Sequence, residues 1–205
     1  MTLPTPQDHT VVLLHGLALW PGFMKPMAGR LAKRGWQTQP IGYRSRHQNF
    51  AASVAEVRAA LPDGPIHLVG HSLGGLIAAD LLRDPQGLEI GRVVQLGSPN
   101  LGSPQATRAG WIAPIRWFYG PVLAELRPHQ DAPEPHDHIG AVAGTIWPNM
   151  AGGKGDGAVT LESALAAAAM HVTVRVMHTL LPLSATVAGH VGDFLRDGQF
   201  AGGTT

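Results

Sequence analysis

The chain has 205 residues, of which 44% are apolar and 14% charged, with a formal net charge of +1 and no cysteine. That length suits one domain with a sizeable core, and the apolar content argues against disorder. Disulfides, thiolate metal sites and a cysteine nucleophile are excluded, and the 15 Lys and Arg residues are scattered rather than gathered into a stripe for nucleic acid.

The first predicted element is a fully buried strand over residues 11–14, Val-Val-Leu-Leu, running into His15-Gly16-Leu17. A helix over 23–33 follows, with Met24, Met27 and Leu31 at helical spacing, then a strand over 36–41. Asn49 caps a helix carrying Phe50, Val54, Val57 and Leu61, which Pro62-Asp63-Gly64 ends. Residues 66–69 read as a strand, 73–83 as a helix, and 92–96 as a strand closed by Gly97-Ser98-Pro99. Between about 100 and 135 prolines recur and the alternation breaks, which marks a lid-like or cap-like insertion. Strands over 139–146 and 172–176 and a helix over 187–195 complete the pattern. This alternation predicts an α/β fold in one domain over 1–205, with a mostly parallel sheet and helices on both faces.

No apolar run approaches the ~18 residues of a membrane helix. The first ten residues carry no Lys or Arg, so no signal peptide is read and a cytoplasmic protein is expected, with a processed secreted form as the alternative. Oligomeric state is not legible.

The stretch Gly70-His71-Ser72-Leu73-Gly74-Gly75 lies between a predicted strand and a predicted helix. That setting turns a common glycine–serine pattern into a mechanism: a sharp turn presents the serine hydroxyl above a sheet, and glycines two residues either side leave it room. Ser72 is the candidate nucleophile. A serine needs a histidine to take its proton and an acid to orient that histidine, and on a strand–turn–helix of this kind they follow in the order serine, acid, histidine. Asp156, in a glycine-rich loop after a late strand, is the favoured acid over Asp80, Asp84, Asp137, Asp193 and Asp197. His178, just past the last strand, is favoured over His171, read at that strand's start, and His190, read within the final helix. The backbone N–H groups of Leu73, at a helix start, and Leu17, in the loop after the first strand, are the candidate oxyanion donors. His15 is read as holding that loop by a side-chain hydrogen bond.

With these residues assembled, the chain resembles the α/β-hydrolase family, and within it small bacterial lipases and esterases related to triacylglycerol lipases. The matching segments are residues 11–17, 68–75, Leu96-Gly97-Ser98-Pro99-Asn100-Leu101-Gly102-Ser103, Gly155-Asp156-Gly157-Ala158-Val159-Thr160, and His178-Thr179-Leu180-Leu181. The resemblance implies ester hydrolysis through an acyl-enzyme, a small-molecule acyl ester or lipid as substrate, and no cofactor. An acyltransferase or thioesterase using the same residues is the alternative, and a non-catalytic binding protein of this fold a third reading. Two departures from larger lipases stand out: the leading antiparallel strands are expected to be missing, and the insertion is modest.

Within the insertion, Trp111, Trp117, Phe118 and Tyr119 are candidates for an acyl-binding wall, the competing role being packing of the insertion onto the body. His129, Asp131, Glu134, His136, Asp137 and His138 carry metal-ligand chemistry in a loop setting, but a solvated connection is favoured and no metal is expected. Gly152-Gly153-Lys154-Gly155 lacks the spacing of a phosphate-binding loop.

Overall fold

A computed structural model describes residues 9–103, 120–126, 133–148 and 154–202. Six strands form one sheet: β1 (Thr10–Leu14), β2 (Gln37–Ile41), β3 (Ile66–His71), β4 (Ile90–Leu96), β5 (His136–Gly144) and β6 (Ala168–Val174). Their order is β2-β1-β3-β4-β5-β6 and every pairing between neighbours is parallel. Parallel strands need crossovers, supplied here by α1 (Lys25–Ala32), α2 (Phe50–Ala59), α3 (Leu73–Arg83) and α4 (Leu161–Leu165), while α5 (Ala185–Asp197) follows the last strand. No antiparallel strand joins this sheet among the described residues.

The apolar runs explain the layering. Successive strand residues point to opposite faces, so a strand covered on both sides must be apolar throughout. Val12 and Leu14 pack with Leu68 and Ile77 on the face covered by α2 and α3, while Val11 and Leu13 pack with Val69, Val94 and Phe194 on the face covered by α1 and α5. Asn49 caps α2 as its sequence position predicts, its Oδ1 accepting the Ala52 N–H at 2.9 Å.

The structure differs from the sequence reading in several details. β5 begins at His136 and β6 at Ala168, each earlier than its apolar run, because half-buried His136 pairs opposite Ala168 ahead of a register shift before Gly140. His171 therefore sits in the middle of β6 and not at its start. A 3-10 turn, Pro21–Met24, takes the front of the helix expected over 23–33. Helix α4 was not anticipated, although Thr160 caps it by accepting the Ser163 N–H. Most of the insertion, with Trp111, Trp117, Phe118, Tyr119, His129 and Asp131, lies outside the described residues. No helix among those described is long and apolar enough to cross a membrane.

The order of the strands fixes where a site can form. From β1 the chain passes to β2 on one side and returns to β3 on the other, a reversal that opens a crevice at the carboxyl ends of β1 and β3. The loops carrying His15-Gly16-Leu17 and Ser72 leave from those two ends.

Candidate active site

Ser72 occupies the residue between β3 and α3 with φ 53° and ψ −118°, a backbone region that side-chain-bearing residues rarely enter. Holding it there stores on the order of 1–3 kcal/mol of strain. The turn is locked on both sides, the Ser72 N–H donating to Leu96 O at 2.9 Å and the Gly75 N–H to Ser72 O at 3.0 Å. The flanking glycines allow close approach of backbones. A Cβ on Gly70 would run into the backbone of Gly74 and Gly75, and one on Gly74 would lie 2.6 Å from the carbonyl oxygens of Leu14 and His15. The motif spacing therefore seats the start of α3 directly against β3 and the end of β1.

The loop after β1 lies beside the serine: a Cβ on Gly16 would come within 3.3 Å of Ser72 Cβ. This loop is anchored from below. The Tyr43 hydroxyl donates to His15 O at 2.7 Å, and the two rings stack with centroids 4.4 Å apart. The Tyr43 N–H approaches His15 Nε2 at 3.4 Å, so Nε2 is the acceptor and Nδ1–H donates to Gly16 O at 2.8 Å. Burial holds the His15 pKa below its ordinary value, partly offset by the Gly16 carbonyl. His15 thus braces the loop by a side-chain hydrogen bond, and Tyr43, which the sequence reading missed, braces His15. The Leu17 N–H has no hydrogen-bond acceptor among the described residues. The Leu73 N–H is the first of α3, where no intrahelical acceptor exists and the helix dipole favours negative charge.

Asp156 and His178 meet. His178 Nδ1–H donates to Asp156 Oδ2 at 2.8 Å, and the His178 N–H donates to Asp156 O at 2.9 Å. The other carboxylate oxygen, Oδ1, accepts the N–H groups of Ala158 at 3.0 Å and Val159 at 2.9 Å. Asp156 therefore shapes its own turn and holds the histidine, and it is only 2% exposed. His178 starts a 3-10 turn, His178–Leu183, instead of an irregular loop. The pair rests on Gly97, just past β4, which has φ +61°; a Cβ there would lie 2.8 Å from Asp156 Oδ2 and 3.1 Å from His178 Nδ1. The other acids and histidines are elsewhere: Asp137 at the opposite end of the sheet, Asp193 paired with Arg34, and His190 in α5 against Phe200.

Ser72 and His178 share no direct hydrogen bond in this structure. The contact between their segments runs through His71, whose ring centroid is 4.8 Å from that of His178 and whose Nε2 lies 3.1 Å from His178 O. Sequence reasoning assigned His71 no role, and nothing in its spacing marks it out. Among the described residues no group of three or more His, Cys, Asp or Glu side chains could hold a metal ion. His136, Asp137 and His138 stand at the start of β5, where His138 Nδ1–H donates to Gly91 O at 2.7 Å.

A protein-family model described as the alpha/beta hydrolase fold matches residues 9–132. Solved structures carry the likeness across nearly the whole chain. The propeptide form of the Bacillus licheniformis lipase BlEst2 is 22% identical with a TM-score of 0.75, over 98% of this chain and 53% of that one. Its mature form is 22% identical with a TM-score of 0.68, over 94% and 92%. The type II thioesterase BorB from the borrelidin biosynthetic cluster is 18% identical with a TM-score of 0.64, over 95% and 94%. The chain thus spans about half the length of the propeptide form. No curated protein matches it significantly.

Proposed function

The chain belongs to the α/β-hydrolase fold family, and from that premise we propose that it is a serine hydrolase that cleaves small-molecule carboxylic esters, in the manner of an esterase or lipase. His178 Nε2 takes the Ser72 proton as Oγ attacks the acyl carbonyl carbon, and the carbonyl oxygen becomes an oxyanion facing the Leu17 and Leu73 N–H groups. Collapse expels the alcohol, which leaves with the proton from His178, and the acyl group stays on Ser72. Water then gives a proton to His178, attacks the acyl carbon, and releases the acid as the proton returns to Ser72. Asp156 holds Nδ1–H, which keeps Nε2 bare to accept and stabilises the imidazolium that forms. Every step uses protons and electron pairs of these groups, so no cofactor is called for. In unliganded sites the serine–histidine contact is commonly long and tightens when substrate binds.

The observation that carries this reading is the Asp156–His178 pair, bonded at 2.8 Å through a buried carboxylate, together with a serine held at φ 53° on the adjoining turn next to His71. Backbone strain at the serine and burial of the carboxylate each cost stability, and this reading gives each a use. The test is hydrolysis of p-nitrophenyl esters from acetate to palmitate, with acyl-CoA alongside, by wild type and Ser72→Ala. Turnover of the esters, falling ~10⁴-fold or more in the variant, is expected from other serine–histidine–acid sites. A folded Ser72→Ala protein with near wild-type turnover refutes the reading, and turnover of acyl-CoA alone moves it to a thioesterase.

A further inference from the structure

We propose that His71 is a positioning residue: its Nε2–H holds the His178 main chain against the serine turn and so sets the distance between the Ser72 hydroxyl and the His178 ring. This deepens the ester-hydrolase reading and rests on it.

A carbonyl oxygen only accepts, so the 3.1 Å contact between His71 Nε2 and His178 O makes Nε2 the protonated nitrogen. Nδ1 is then bare. It is buried with no hydrogen-bond partner, and it faces Gly16, where a Cβ would lie 2.9 Å away. An apolar side chain could fill this space without orphaning a polar atom, so the bond to His178 is what distinguishes histidine at this position.

His178 is held at three points. Its N–H and its Nδ1–H both go to Asp156, and its carbonyl oxygen receives His71. The first two ties set the ring relative to the Asp156 loop. The third is its hydrogen bond to the turn that carries Ser72. His71 is thus covalently next to the serine, hydrogen-bonded to the residue bearing the imidazole, and packed on the loop that bears Leu17. The titratable groups that face it are His178 from the 3-10 turn and His15 from the loop after β1. Burial keeps its pKa well below the ordinary histidine value, so the donor is present and unchanged across the range in which an ester hydrolase works.

The test compares His71→Leu, which fills the space without a donor, with His71→Gln, which returns an N–H near the position of Nε2. Three readouts are taken: kcat and KM on a p-nitrophenyl ester, the rate of fluorophosphonate labelling at Ser72, and the downfield NMR proton of His178 Nδ1–H. His71→Leu is expected to stay folded and lose ~10- to 100-fold in kcat and labelling rate with KM little changed. The downfield proton should broaden or shift, and His71→Gln should recover most of each loss. His71→Leu with kcat and labelling within ~2-fold of wild type overturns the proposal. So does a kcat loss that Gln fails to relieve while the downfield proton keeps its wild-type signature. If His71→Leu does not fold, His71→Gln decides: near wild-type values support the donor role, and a large loss in a folded protein with an undisturbed His178 proton overturns it. Failure of wild type to label at Ser72 strikes the ester-hydrolase reading instead, and the NMR signature still reports whether His71 holds His178.

Discussion

Alanine at position 97 perturbs the Asp156–His178 pair without touching either residue. Its Cβ would lie 2.8 Å from Asp156 Oδ2 and 3.1 Å from His178 Nδ1. Carbon–oxygen contacts close only to ~3.3 Å, so the carboxylate must retreat by about 0.5 Å. Moving one partner that far takes a 2.8 Å hydrogen bond to roughly 3.3 Å, past the usual range for N–H···O. The φ of +61° adds backbone strain of about 1–2 kcal/mol for alanine. Gly64→Ala is the matched control, because Gly64 has φ +86° and nothing within 4 Å of its would-be Cβ. Both variants should melt ~2–8 °C below wild type. Only Gly97→Ala should lose kcat on a p-nitrophenyl ester, by ~10²-fold or more. Thermal denaturation by circular dichroism and steady-state kinetics on the three proteins measure this. A Gly97→Ala enzyme with kcat within ~2-fold of Gly64→Ala would show that the alignment of the pair does not matter to the chemistry.

Three further outcomes follow from the same geometry. Asp156→Asn should lower kcat by ~10³–10⁴-fold with little loss of expression: one amide oxygen can still accept the Ala158 and Val159 N–H groups, leaving the NH₂ against His178 and forcing the wrong tautomer; kinetics on the folded variant decide it, and activity near wild type would contradict it. Asn49→Ala should destabilise by ~1 kcal/mol in urea unfolding, with kcat unchanged, because it removes only the cap of α2. Stability should drop in acid. His67 is fully buried, and desolvation first, then His9 and Arg92, push its pKa down to about 3 from 6.5. Between those values the unfolded chain binds a proton the folded chain refuses, so stability is full above pH 6.5 and drains as pH falls toward 3. His67 alone removes ~2 kcal/mol by pH 5, and His71 acts in the same direction. Urea midpoints that stay flat from pH 7.5 to 5 would contradict this.

Much of the architecture is legible because it follows from local patterns. The run Val11-Val12-Leu13-Leu14 has to be a strand covered on both faces, and the Gly-x-Ser-x-Gly motif followed by Leu76, Ile77 and Leu81 at helical spacing matches α3, Leu73–Arg83. Asp156 is a candidate acid from its place in a glycine-rich loop, and in the structure one of its oxygens serves that loop's turn and the other meets His178. What escaped depends on pairing across long sequence distances. The alanine-rich lead into β6 has helical propensity, yet register with β5 makes Ala168–Val174 a strand. Tyr43 under His15 and His71 under His178 are contacts between segments 28 and 107 residues apart, and no spacing rule reports those.

The most direct measurement is covalent trapping. The folded protein is treated with a fluorophosphonate, digested, and the modified peptide mapped by mass spectrometry, with Ser72→Ala alongside. The expected result is one adduct, on the Ser72 hydroxyl, absent from the variant. A folded wild-type protein that takes no label, or a variant that labels as fast as wild type, would contradict a nucleophile at Ser72 and with it the role assigned to Asp156 and His178.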